Sequence, residues 1–184
     1  ILPPDINESG AHYTPVPHGI RIGLGAIRNA GVNVVAAILD VREEQGPFNS
    51  FMDFLDKVPA NVCNKRTVDS LIKAGAFSLL HENRAALSFA HAEAIDVYVS
   101  SKKNKLKGQE DIFASYAEET GGSHSELYEL PNVPEWDRLK LLGFEREMLG
   151  QYVTDHPLRG YQKAVNDSSD GSVAFLFPPG GIPR

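Results

Sequence analysis

From Leu24 to Val41 the sequence carries two apolar stripes at helical spacing, separated by five residues that interrupt the period. Leu24 and Ile27 form the first stripe, and Val34, Val35, Ile38, Leu39 and Val41 form the second. Between them stands Asn29-Ala30-Gly31-Val32-Asn33, so this chain can satisfy both stripes only as helix, tight turn, helix. At the turn itself, Gly31-Val32-Asn33, asparagine is the non-glycine residue best suited to a positive φ, which the sequence predicts for Asn33.

A turn of this kind has a physical use beyond packing. The N-terminus of the second helix aims backbone N–H groups outward, and the helix dipole favours a phosphate there. Such contacts read a nucleic-acid backbone and not its sequence. The same pattern also serves as an ordinary packing turn, and both readings stay open at this point.

Further helices follow with short connections. NSFMDFLDKV starts with Ser50 and Asp53 at capping-box spacing and stops at Pro59. Asn64 is placed to cap KRTVDSLIKAG, where Val68, Leu71 and Ile72 share a face and Gly75 suits the left-handed residue beyond the end. A second hairpin is therefore suggested by VDSLIKAGAFSLL, with Gly75-Ala76-Phe77 at its turn and Lys65, Arg66 and Lys73 as cations able to neutralise phosphates. Those cations equally suit a solvated helix face. A longer helix is predicted over 82–99, with Ala85, Leu87, Phe89, Ala92, Ile95 and Val99 as its apolar set. Residues 101–132 are lysine-rich, then acidic and Gly/Ser-containing, which marks a linker. PEWDRLKLLGFEREMLGQYV restores a helical face through Trp136, Leu139, Leu142, Phe144, Met148, Leu149 and Tyr152, and His156-Pro157 ends it. In the tail, Val173 to Phe177 reads as one strand. Before all this, residues 1–23 hold four of the 12 prolines and read as loop and short strands.

Composition narrows the function classes. The net charge of -6 argues against a generally basic nucleic-acid coat, yet residues 1–108 hold 12 Lys+Arg against 11 Asp+Glu, and residues 109–184 hold 6 against 13. One cysteine, Cys63, leaves no internal disulfide or cysteine-rich zinc site and fits a reducing cytoplasm. No apolar run approaches the roughly 20 residues that cross a bilayer. With a first residue of Ile1 and methionines only at 52 and 148, the chain is expected to be an internal segment of a longer protein.

Signals for chemistry are weak. The six histidines lack the helical two-His spacing of a metalloprotease, and Glu145 and Glu147, two apart, point in different directions on a helix. Neither a Walker-type phosphate loop nor a Gly-x-Ser-x-Gly elbow is present, so no catalytic residue and no metal ligand is assigned. GQEDIF is a different matter, because Ile112 and Phe113 sit in polar company too poor to bury them. An extended peptide with Gln109 to hydrogen-bond and Ile112-Phe113 to fill a pocket suits docking on a partner, while folding back on the preceding helices is an equal alternative.

In order along the chain, IRIGLGAIRNAGVNVVAAIL, NKRTVDSLIKAGAFSLL, GQEDIF and EREMLGQYVTDHPL together resemble the alpha subunits of bacterial replicative DNA polymerase III, a C-family polymerase. Glu145, Glu147, Leu149, Gly150, Tyr152, His156 and Pro157 fit that family's E-x-E-x-LG-x-Y…HP pattern, and ILPPDINES is similar to its segment leading out of the fingers. The resemblance covers roughly residues 1–160.

It implies a mainly α fold: lead-in from the fingers over 1–23, a tandem helix-hairpin-helix domain over 24–104, and a linker with a clamp-binding peptide over 105–132. A helix and His-Pro turn over 133–160 and a tail over 161–184 complete it. By position, Gly31, Val32, Asn33, Gly75 and Ala76 would face phosphates of double-stranded DNA, joined by Lys65, Arg66 and Lys73. Gln109, Ile112 and Phe113 would bind the ring-shaped sliding clamp, the beta subunit, with Glu110 and Asp111 as spacers. The expected setting is a cytoplasmic replicase with other subunits as partners and no membrane. The magnesium-holding palm aspartates lie upstream in the family, so the segment is expected to need no cofactor and to be inactive alone. Two rival classes remain: a DNA-repair enzyme such as a glycosylase, which also uses a helix-hairpin-helix, and a purely structural interaction domain.

Overall fold

Ser50 and Asn64 begin helices as their sequence neighbourhoods require. The Ser50 Oγ accepts the Asp53 N–H at 3.0 Å, and Asp53 Oδ2 in return accepts the Asn49 N–H at 2.8 Å. Asn64 Oδ1 accepts the Thr67 N–H at 2.8 Å. The computed structural model describes residues 1–62, 64–106 and 128–169, and these are mainly helical, as expected.

Strands β1 (Thr14–Val16) and β2 (Gly19–Arg21) form one antiparallel ribbon. Helices α1 (Val32–Gln45), α2 (Phe51–Lys57), α3 (Lys65–Lys73), α4 (Arg84–Leu106), α5 (Arg138–Leu149) and α6 (Gln162–Ser168) follow. Residues 1–154 make one compact unit, and residues 155–184 make a second, in which α6 is described.

The core of the first unit is apolar and aromatic. Val35, Ile38 and Val41 of α1 and Val68, Leu71 and Ile72 of α3 are buried at the positions their periodicity predicts, and Leu55 of α2 is buried with them. Phe54 and Phe77 meet edge-on with ring centroids 5.0 Å apart, and Phe51 meets Phe77 at 5.1 Å, in the arrangement that ring quadrupoles favour. Gly75 takes the expected left-handed conformation, φ 83°, after α3.

The residues before α1 are part of this packing. Asn7 Nδ2 donates to Phe48 O at 2.9 Å while Asn7 Oδ1 accepts the Phe48 N–H at 2.8 Å, so one side chain replaces a pair of backbone partners. The Ile6 N–H donates to Ala76 O at 2.8 Å, and Arg42 reaches from α1 to the carbonyls of Ile6 and Ser9. Burial lowers the pKa of the Arg42 guanidinium and raises that of the Asp5 carboxyl nearby.

Four expectations change. The first helix of the first hairpin is a single 3-10 turn, Leu24–Ala26, because the backbone is already extended at Ile27, φ -78° and ψ 128°, before the left-handed Asn29 is reached. The predicted helix over 82–99 is α4, and it continues to Leu106 into the expected linker. Its Phe89 is 75% exposed, since Leu87, Ala90, Ala94 and Tyr98 carry the buried stripe and Phe89 falls out of phase with them. At the linker's other end, Tyr128 and Leu130 pack on the core and Val133 O accepts from Asn83 Nδ2 at 2.6 Å. The expected strand at Val173 to Phe177 lies outside the described residues.

Gly23 and Gly25 let two backbones touch. The Leu24 N–H donates to Gly10 O at 2.9 Å and the Gly25 N–H to Ala11 O at 3.1 Å. A Cβ on Gly23 would lie 2.6 Å from Ala11 O, a backbone atom that cannot turn aside. Gly23→Ala is therefore expected to destabilise the first unit by about 1–3 kcal/mol, as overpacking does, read as a lowered urea midpoint at unchanged slope.

Candidate nucleic-acid interface

The tip of the first hairpin is built around Asn29, the single non-glycine residue with positive φ among the described residues. Sequence reasoning placed that conformation at Asn33, which instead lies in the first turn of α1. Asn29 suits the left-handed region for the reason anticipated for Asn33, since asparagine tolerates positive φ better than most residues. Here the Asn29 Nδ2 donates to Ser70 Oγ at 2.9 Å, and the Asn29 carbonyl accepts from Thr67 Oγ1 at 3.0 Å. From the other side, the Arg28 N–H donates to Met148 O of α5 at 2.9 Å. Thus α3 and α5 both grip the turn, and the start of α1 inherits its position from them.

That start is open. Gly31 is the N-cap of α1, with no side chain to accept an amide hydrogen, and no acid stands in the first turn. Within the same unit, α2, α3 and α5 are capped by Ser50, Asn64 and Asp137. The first amides of α4 are met by Asn83 Oδ1 and by the Glu135 carboxylate. The first intrahelical bond of α1 is Val35 N–H to Gly31 O at 3.0 Å, which leaves the N–H groups of Val32, Asn33 and Val34 as orphan donors. Gly31, Val32 and Asn33 are all exposed, Val32 to 85%. Gly31 has φ -67°, and a Cβ there would meet nothing within 4 Å, so neither backbone nor packing requires glycine at this position.

The cations divide into engaged and unengaged. Lys65 pairs with Asp96 at 2.7 Å; Lys73 pairs with Asp69 at 2.7 Å and lies over the Phe144 ring, 5.2 Å from its centroid. Arg66 is exposed and makes no ion pair among the described residues. Arg28 is likewise exposed and unpaired, and it adjoins the tip through the turn it belongs to. Sequence reasoning missed Arg28, although its place one residue before the interruption of the helical period was the available signal.

The second hairpin does not present the expected surface. Gly75 and Ala76 are buried, the first under the Arg84 guanidinium and the second with its carbonyl taken by the Ile6 N–H. The expectation that they face phosphates is corrected accordingly: their turn is filled by the chain's own first residues and by Arg84. Gln109, Ile112 and Phe113 lie outside the described residues.

Sequence reasoning also read α5 as an apolar face and overlooked a buried carboxylate in it. Glu145 is 1% exposed; its Oε2 accepts the N–H groups of Val153 and Thr154 at 3.0 Å each, and its Oε1 accepts Thr154 Oγ1 at 2.6 Å. Arg84 Nη1 stands 3.7 Å away. Burial lowers the Arg84 pKa, against the opposing pull of Glu145 and Glu135. Among the described residues no group of three or more His, Cys, Asp or Glu side chains is placed to hold a metal, and no helix is long and apolar enough to cross a membrane.

A 3-10 turn, a left-handed asparagine and an uncapped helix start make this a helix-hairpin-helix unit, and the helix-hairpin-helix motif family matches residues 1–87. The chain belongs to the DNA polymerase III alpha-subunit family. It is 45% identical over 179 residues to DNA polymerase III subunit alpha of Saccharopolyspora erythraea, covering 96% of this chain and 15% of that one. The Mycobacterium tuberculosis subunit is 44% identical over 184 residues, covering 100% of this chain and 16% of the relative. That of Borreliella burgdorferi is 38% identical over 173 residues, covering 94% and 15%. The chain thus spans about 15% of the length of these relatives.

Asn29 offers a direct check on the tip. Asn29→Ala is expected to cost about 2 kcal/mol, from the left-handed backbone and the lost amide bond together. Asn29→Gly restores the backbone freedom and is expected to cost about 1 kcal/mol. Denaturant titration of the two variants beside the parent reads this order.

Proposed function

We propose that this segment holds double-stranded DNA by its phosphate backbone within a replicative polymerase, and that the following peptide docks on the sliding clamp. The observation that carries the first half is the open start of α1, with three orphan N–H donors at an exposed tip that holds Arg28 and is bonded to Thr67, the residue after the exposed Arg66. A phosphate there would be favoured by the donors and by the helix dipole at once. Gly31 leaves room for its close approach, and Val32 gains cover from the sugar-phosphate surface. Backbone contacts of this kind carry no sequence preference, which suits a polymerase that must hold any duplex.

In this role Lys65 and Lys73 are second to Arg66 and Arg28, because each would first have to leave its carboxylate. Membership of the polymerase III alpha family supports the setting: a replicase with further subunits, acting in the cytoplasm. Nucleotidyl transfer and its magnesium would belong to other parts of such a polymerase.

The clamp half of the proposal rests on GQEDIF, where Gln109, Ile112 and Phe113 have the residue types of a pocket-filling peptide. A clamp encircling DNA would then keep the polymerase near the primer end through effective concentration, even with a weak individual contact.

Binding of the chain to a mixed-sequence duplex, followed by fluorescence anisotropy over a salt series, tests the DNA half. Gly31→Val is expected to weaken binding by about 1 kcal/mol, roughly fivefold, while the poorer N-cap lowers stability by about 1 kcal/mol and leaves the chain folded. Arg66→Ala is expected to reduce the salt slope by about 0.9. Binding that neither variant changes would leave the hairpin as a packing element. For the clamp half, changing Ile112 and Phe113 to Ala is expected to weaken binding to a bacterial sliding clamp by about 30-fold. Equal binding by both chains would end that assignment.

A further inference from the structure

We propose that Glu145 is a positioning residue for the hairpin tip, acting through α5 without touching DNA; the inference rests on the duplex-binding reading above. The tip is fixed to α5 by one main-chain bond, Arg28 N–H to Met148 O at 2.9 Å. No side chain takes part in that bond, so its geometry depends on where the end of α5 lies. Met148 stands three residues beyond Glu145, and α5 buries little else: Leu142, Glu145 and Met148 are its buried residues.

Glu145 ties that helix to two other places. Its carboxylate accepts three hydrogen bonds from Val153 and Thr154, which return beside it after Gly150 turns the chain at φ 75°. It also faces Arg84 at 3.7 Å. Arg84 in turn covers Gly75, where a Cβ would lie 2.5 Å from its Nη2, and its Nε donates to Ser78 Oγ at 3.2 Å. One carboxylate therefore joins α5, the loop after it, the start of α4 and the turn of the second hairpin. With the carboxylate gone, Arg84 loses a buried partner and two amides lose their acceptor, and the end of α5 is released. The tip would keep its bonds to Thr67 and Ser70 and lose its brace at Arg28.

The complete chain is compared with Glu145→Ala and Glu145→Gln by amide hydrogen exchange without DNA. In Glu145→Ala the Arg28 amide is expected to exchange at least tenfold faster while Val35 in α1 and Val68 in α3 stay protected. Glu145→Gln, which can still accept the Val153 and Thr154 amides, should recover part of the protection. Duplex affinity of Glu145→Ala is expected to fall about as far as that of Gly31→Val, roughly fivefold. Combining the two substitutions should cost no more than either alone, because both act at one tip.

An Arg28 amide as protected as in the parent would overturn the inference, as would a fivefold loss repeated in full in the Gly31→Val background. Failure of the parent chain to bind duplex would instead overturn the DNA reading, with hydrogen exchange still deciding the coupling to α5. Should Glu145→Ala not fold, Thr154→Val, which removes the hydroxyl bonded to Oε1, is expected to speed Arg28 exchange in the same direction. An unchanged rate there would equally overturn the inference.

Discussion

The backbone at Asn29 decides where α1 begins. Its left-handed conformation turns the chain once the extended Ile27 has ended the 3-10 turn, and two residues later the chain enters α1 at a glycine that offers no cap. Such a turn would be mobile if it stood alone. Thr67 and Ser70 of α3 and the Met148 carbonyl of α5 hold it from two sides, so three orphan amides are presented by a rigid frame. Much of the remaining unit can be understood as support for that frame: the aromatic cluster seats α2 against the second hairpin, and Glu145 seats α5.

The electrostatics are local. A chain of net charge -6 cannot attract DNA as a whole, and the acid is concentrated beyond residue 108. At the tip the balance differs, because α1 has no acid in its first turn and Arg28 and Arg66 are free of carboxylate partners among the described residues. Lys65 and Lys73, by contrast, are committed to Asp96 and Asp69. Under the proposed role, affinity for duplex would be modest and salt-sensitive, with the clamp tether supplying residence on DNA.

Helices were legible where a period and a cap coincided. Ser50 and Asn64 cap α2 and α3, and Val68, Leu71 and Ile72 are buried as their spacing required. What the sequence concealed was tertiary. Asn29 and Asn33 are equally able to adopt positive φ, and only the contacts with Thr67 and Ser70 select the first. Gly75 and Ala76 have a hairpin turn's sequence, but residues 1–23 and Arg84 fill the space in front of them. Phe89 fits an apolar list and still faces outward, since a list does not weigh phase. Glu145 stands in a recognisable sequence pattern, but its burial depends on Val153 and Thr154 folding back onto it, which no local period reveals.

The central claim is that DNA phosphates meet the start of α1. Titration of the isotopically labelled chain with a short duplex, following backbone amide shifts, tests it most directly. The account predicts the largest changes at Val32, Asn33 and Val34, with smaller ones at Arg28 and Arg66 and little at Gly75 and Ala76. Saturable binding that leaves the α1 amides unmoved, or that moves the Gly75 turn instead, would contradict it.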